Sequence, residues 1–165
     1  MTGKFDADQP AGELLNDCWV DIHKQRGIRA QLRRAKSVDE IILLPVFQRT
    51  CQRFRPFFRL EEHWEYRLAA VLGLLAHVRT TTGERLARQM AGNPPAVSEL
   101  RFRRLLQKDR RELYVALIRI LRMLNHRANL HDLANSVYYW GNRTKRDWAF
   151  AYFPHTPGKA PGQPA

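Results

Sequence analysis

Apolar residues in this chain recur at helical intervals, and no run of alternating apolar and polar positions is long enough to define a strand. Residues 12–25 place Leu14, Leu15, Cys18, Trp19 and Ile22 on one side, which predicts a first amphipathic helix ended by Gly27. Residues 28–35 read as a short helix or a basic loop. Ser37-Val38-Asp39-Glu40 has the form of a capping box that opens the next segment. Pro45 suits a first helical turn, so a helix is expected over 45–53, stopped by Arg55-Pro56. The clearest N-terminal helix covers 61–78, with Trp64, Leu68, Val71, Leu72 and Leu75 along one stripe. A polar break at Thr80-Thr81-Thr82-Gly83 precedes a short helix over 84–90.

Gly92-Asn93-Pro94-Pro95 is the strongest internal punctuation. Beyond it Ser98 is expected to cap a helix to Lys108, and Asp109 with Glu112 a helix striped by Leu113, Leu117, Ile120, Leu121 and Leu124. Asn129 caps a segment reaching Trp140, where Gly141 stops it, and Asn142 opens a last helix carrying Trp148, Tyr152 and Phe153. The expectation is an all-α protein: a helical N-terminal lobe (1–92), a compact C-terminal four-helix bundle (93–153) and a Pro/Gly-rich disordered tail (154–165).

Composition narrows the class. At 165 residues and 44% hydrophobic content the chain has enough apolar material for a core. No apolar run approaches the ~18 residues that a membrane span needs. The first ten residues carry Asp6 and Asp8 and lack the apolar stretch of a secretory signal. Cys18 and Cys51, far apart in sequence, match neither a disulfide scaffold nor a zinc-finger spacing, and a cytoplasmic location with reduced thiols is expected.

Charge changes the picture most. Net charge is +12, and 22 of the 28 basic residues are arginine. Residues 23–36 hold six cationic side chains and residues 49–59 hold four, with no acid in either stretch, while 101–127 hold nine against Asp109 and Glu112. Cation concentrated in segments points to a polyanion, and guanidinium groups fork onto phosphate oxygens. Arg101, Arg104, Lys108 and Arg111 would share one side of a continuing helix, with Phe102 and Leu105 facing the core; Arg119 and Arg122 lie opposite the following leucine stripe. The plainer alternative is a solvated helix face. Phe54-Arg55-Pro56-Phe57-Phe58-Arg59 and Tyr138-Tyr139-Trp140 could stack bases, but aromatic clusters in helical proteins are more often core.

Catalytic patterns are sparse. His131-Asp132 is the dipeptide of metal phosphohydrolases, with only His126 and Asp147 nearby to complete a ligand set. Arg119 and His126 loosely match the spacing of some helical ribonucleases. Glu61, Glu62 and Glu65 read as first-turn acids favoured by the helix dipole. There is no Gly-rich phosphate loop and no Ser or Cys in a nucleophile motif.

Four blocks in order carry a family likeness: Gln31-Leu32-Arg33-Arg34 with Leu44-Pro45-Val46-Phe47; Leu86-Ala87-Arg88; the stretch from Ser98 through Arg101, Arg103 and Arg104 to Leu106; and Tyr139-Trp140-Gly141 with the basic helix after it. In this ordered set, over most of residues 13–153, the chain resembles the small subunit of the type I-E CRISPR surveillance complex Cascade, the CasB family. The resemblance implies a subunit that is not an enzyme and needs no cofactor or metal. Its implied partners are the guide RNA–target DNA hybrid, the displaced DNA strand, other Cascade subunits and a second copy of itself packed head to tail. It implies no membrane and no small-molecule substrate, and a role in stabilising the R-loop. Matching positions make Arg34, Arg101, Arg110, Arg119 and Arg143 candidate nucleic-acid contacts, and proximity adds Arg33, Arg104, Lys108, Arg111 and Arg146. A helical endoribonuclease using Arg119 and His126, and a helical adaptor binding only protein, are the alternatives.

Overall fold

The computed structural model describes residues 3–158, and its order of elements follows from where helices can start and stop. Helix α1 (Pro10–Lys24) begins on a proline, and α2 (Arg26–Arg34) follows after Gln25 alone, so Gly27 lies inside a helix and does not break one. The basic stretch of 28–35 is therefore helical. Helix α3 (Val38–Ile42) is capped by Ser37, whose hydroxyl accepts the Glu40 N–H at 3.2 Å; the Glu40 carboxylate accepts the N–H of Lys36, one residue before the position of a full capping box.

Helix α4 (Pro45–Phe58) runs through Pro56, beyond the expected stop at residue 53. The gain is aromatic burial: Phe54 and Phe58, one turn apart, enter a cluster in which the Phe58 ring lies 5.1 Å from Phe5 and 4.7 Å from Tyr138. Burying two phenylalanines outweighs the one backbone hydrogen bond that proline cannot donate.

Helix α5 (Trp64–Leu75) is shorter than the expected 61–78 and from Leu68 onward is buried all round: Ala69, Ala70 and Leu74 are covered as fully as the striped positions. A helix apolar on every face belongs at the centre of a core. Helices α3, α4, α8 and α9 pack on it. Gly73 makes one approach possible, because a Cβ there would sit 2.7 Å from the hydroxyl of Tyr114, which spans the helix to donate to the Ala35 carbonyl at 3.0 Å.

The second half comprises α6 (Leu86–Met90), α7 (Glu99–Leu105), α8 (Arg110–Met123), α9 (Leu130–Tyr138) and α10 (Asn142–Tyr152). Ser98 and Asn129 cap as expected, Asp109 and Glu112 complete a capping box, and Gly141 rather than Asn142 occupies the cap of α10. Unforeseen in the sequence is a parallel pairing of β1 (Thr80–Thr81) with β2 (Arg127–Ala128).

The expected division at residue 92 does not divide the core. One continuous cluster of buried side chains contains Phe54, Leu68 and Leu75 together with Phe102, Leu117 and Val137. Among element pairs, α9 packs most extensively on α5, and α10 packs on α6. The four C-terminal helices therefore pack on one another, through Phe102 on Tyr152 and α8 on α9, and also complete a core begun by α5. The expected disordered tail is ordered where it starts: Phe153–His155 form a 3-10 turn, and the buried Thr156 hydroxyl accepts the Gly92 N–H at 3.1 Å. The remainder of that tail, from residue 159, lies outside the described residues.

Candidate nucleic-acid interface

The cationic surface is built outward from Phe102. Its ring stacks on Tyr152 at 3.9 Å and 5° and faces Trp148 at 6.4 Å, which fixes the roll of α7 and turns Arg101 and Arg104 to solvent. The turn into α8 is anchored by Trp140, whose indole N–H donates to the Lys108 carbonyl at 2.8 Å. Between α7 and α8 lies an open groove of about 530 Å³, with Arg101, Arg104 and Lys108 on one side, Arg119 on the other and Val115, Ile120 and Met123 among its lining. The Arg101 guanidinium rests 3.5 Å from the Met123 sulfur. Glu112 is the one acid at the rim, and its carboxylate accepts the Asp109 N–H in the capping box.

A second group of arginines adjoins this groove. Arg122 lies one turn beyond Arg119 on α8, on an adjacent face. Arg33 on α2 is half-buried, and its guanidinium is pulled below the usual arginine value by burial and then by Arg79, Arg29 and Arg122. Arg79 is brought there by backbone geometry. Asn125 and His126 adopt left-handed conformations (φ 57° and 58°) that turn the chain after α8. The His126 carbonyl then accepts the N–H groups of Arg79 at 2.7 Å and Thr80 at 3.3 Å. On the other flank, Trp19 donates its indole N–H to the Val78 carbonyl at 2.8 Å.

Of the ten sequence candidates, Arg101, Arg104, Lys108 and Arg119 share the groove, and Arg33 lies in the adjoining cluster. Arg34 is exposed on α2. Arg110 is turned inward: its Nε donates to the Val137 carbonyl at 2.8 Å and its guanidinium to Tyr138 and Trp140 carbonyls at 3.0 and 3.3 Å, so it secures the end of α9. Arg111 meets Tyr66 (3.2 Å to the hydroxyl) and Asp39 (3.6 Å) and so joins α8 to α5 and α3. Arg143 lines a separate cavity that also holds Asp132 and Asp147, and Arg146, exposed on α10, is outside the α7–α8 groove. The sequence reading noted Arg122 beside Arg119 on the basic face but did not carry it, Arg29 or Arg79 among the ten candidates, and nothing local marks Arg79.

Among the described residues two ion pairs join side chains, Lys4–Glu61 and Arg111–Asp39, so the groove and cluster arginines have no carboxylate within 4.0 Å. The groups behind the catalytic alternatives are held by structure. The His131 ring faces the Phe5 carbonyl at 2.7 Å, and Asp132 accepts the Leu86 N–H at 2.8 Å, capping α6 while burial raises its pKa. Nδ1 of His126 lies 3.0 Å from the His77 carbonyl. Cys18 and Cys51 are buried free thiols, each pushed up to about 11 by burial. Phe54, Phe58, Tyr138 and Trp148 are core residues and not an exposed stacking platform. Among the described residues no group of three His, Cys, Asp or Glu could hold a metal ion, and no helix is long and apolar enough to cross a membrane.

Fold and surface together define an all-helical protein whose uncompensated arginines converge from three parts of the chain. Residues 28–153, well over half of the 165, match the family model described as CRISPR-associated protein Cse2. The chain belongs to this CRISPR-associated Cse2 (CasB) family. Its fold is similar to that of a chain in the crystal structure of E. coli Cascade bound to a PAM-containing dsDNA target, with a TM-score of 0.70 and 24% identity over 89% of this chain and 98% of that one. No curated protein matches it.

Proposed function

We propose that this protein is a non-catalytic small subunit of a Cascade-type ribonucleoprotein in CRISPR defence, and that it holds nucleic-acid backbone along α7 and α8 to stabilise an R-loop. The observation that carries the reading is the groove in which Arg101, Arg104, Lys108 and Arg119 converge without a carboxylate on any of them. Family membership supplies the setting, and the related Cascade chain was crystallised with double-stranded DNA. The expected partners are the guide–target hybrid, the displaced strand, neighbouring Cascade subunits and a second copy head to tail.

The physics suits a holder rather than a reader. Exchanging a DNA duplex for an RNA–DNA hybrid is nearly balanced in free energy, so modest contacts to the strands decide the outcome. Arginines on rigid helices release counterions from phosphates whatever the base sequence. Helix α8, 14 residues or about 21 Å long, spans roughly six phosphates at 3.4 Å of rise per strand. The Arg101→Ala/Arg119→Ala double variant, assembled into the complex, is expected to lower R-loop yield several-fold without changing which target is chosen. Wild-type R-loop yield in that variant would overturn the reading.

A further inference from the structure

We propose that Arg29, Arg33, Arg79 and Arg122 form a second phosphate seat continuous with the α7–α8 groove, and that their mutual repulsion in the free protein is relieved when a nucleic-acid phosphodiester occupies it. The proposal rests on the nucleic-acid reading above and extends it to residues that no sequence motif marks.

Arg29 and Arg33 lie on α2, which packs on α5; Arg79 lies on the segment leaving α5 and Arg122 in the last turn of α8, near enough that Arg79, Arg29 and Arg122 add to burial in lowering the Arg33 pKa. Their convergence is imposed by the backbone. Arg29 and Arg33 are one turn apart on α2, and Arg79 is tied through its own N–H to the His126 carbonyl just beyond α8. The α1 side chains Trp19 and His23 hold the other flank, at the Val78 carbonyl (2.8 Å) and the Leu75 carbonyl (3.3 Å). These ties fix the backbone on which Arg79 sits. Among the described residues no carboxylate approaches any of the four within 4.0 Å.

A buried group beneath them supplies a second, independent observation. His77 is only 6% exposed, and its Nε2 has no hydrogen-bond partner. Burial first, and then Arg33, His126 and Arg122, push it down to about 4, so the ring stays neutral beneath positive charge at neutral pH. A like-charge cluster of this kind costs folding free energy in the empty protein and returns it to a bound anion. Guanidinium forks match phosphate oxygens in pairs. The seat is also on the path, because Arg119 and Arg122 are neighbours at i, i+3: a strand leaving the groove at Arg119 meets Arg122 next.

The test uses the full-length protein with Arg79→Gln and Arg122→Gln, and Arg122→Lys as the charge-preserving control. At low salt each Gln variant is expected to melt about 2 °C above wild type, and the Lys variant with wild type. Inorganic pyrophosphate at fixed ionic strength should raise the wild-type midpoint more than that of either Gln variant. On labelled single-stranded DNA each Gln change should reduce the log–log salt dependence of binding by about 0.7. Unchanged midpoints, together with equal stabilisation of all proteins by pyrophosphate, would overturn the seat. Full salt dependence in the Gln variants, with loss in Arg101→Ala/Arg119→Ala, would overturn the seat and leave the groove reading intact. A wild-type protein that binds no DNA while pyrophosphate still separates it from the Gln variants would overturn the nucleic-acid reading and leave an anion site.

Discussion

Two concave regions of similar size differ in what surrounds their arginines. The groove between α7 and α8 and the cavity between α9, α10 and the N-terminal segment measure about 530 and 480 Å³, and both are lined by several cations. In the first, one acid stands at the rim, engaged in a helix cap. In the second, Arg85, Arg143 and Lys4 share the lining with Asp6, Asp132 and Asp147. An arginine facing carboxylates has part of its field cancelled before a phosphate arrives; an arginine facing leucine, valine and methionine keeps its field. A count of cations alone would have ranked the two regions together, and the aspartates beside one set and the apolar side chains beside the other separate them.

That contrast can be broken at several points. The largest effect is expected at Phe102, the ring that separates the groove from the aromatic seam of α10. Phe102→Ala removes the stack on Tyr152 and should cost about 3–5 kcal/mol in denaturant unfolding, with the groove losing its α7 wall. Next comes the pH response beneath the arginine cluster. His77 has a folded pKa of about 4 against 6.5 when unfolded, so the stability it confers is complete above pH 6.5 and is lost as pH falls toward 4. The stability difference between wild type and His77→Gln should shift by on the order of 2–3 kcal/mol across that window; parallel pH–stability curves would show that burial and the neighbouring cations together leave this ring unshifted.

Arg110→Ala should cost about 2 kcal/mol by chemical denaturation, because three carbonyls at the end of α9 lose a charged donor. Measured where the variant is fully folded, its salt dependence of DNA binding should equal wild type, which separates a structural arginine from the binding ones on neighbouring turns. The smallest change in free energy transplants the acidic character of the second region into the first. Val115 is 40% exposed in the groove, and Val115→Glu is expected to weaken DNA binding about tenfold at low salt while stability stays within about 0.5 kcal/mol. Unchanged affinity in a filter-binding titration would mean that phosphate does not pass this side of α8.

Much of the helical plan was legible in local pattern. Ser98, Asp109 and Asn129 cap where the sequence places them, since a capping side chain needs only the backbone amides two or three residues ahead. The errors fall where distant burial overrode a local rule. Pro56 did not stop α4, because Phe58 has a place against Phe5 and Tyr138. The buried core runs across residue 92, because α9 covers its apolar face with α5. The site divides in the same way. Arg101, Arg104 and Lys108 were legible from helical spacing, whereas Arg111 has the same spacing and a different fate, set by Tyr66 and Asp39 on distant elements, and Arg110, a candidate by family likeness, is taken up by three carbonyls far ahead in the chain.

The amino-acid sequence alone determined that this protein is helical and strongly basic, where most of its helices begin, and, through the family match over residues 28–153, which family it belongs to. Helical periodicity and capping act over a few residues, and charge is additive, so none of these needs coordinates. Only the tertiary structure decided which guanidinium groups are free to meet an anion. That depends on long-range neighbours: the carbonyls that occupy Arg110, the left-handed turn after α8 whose His126 carbonyl holds the Arg79 N–H, and the distance from each arginine to the nearest carboxylate.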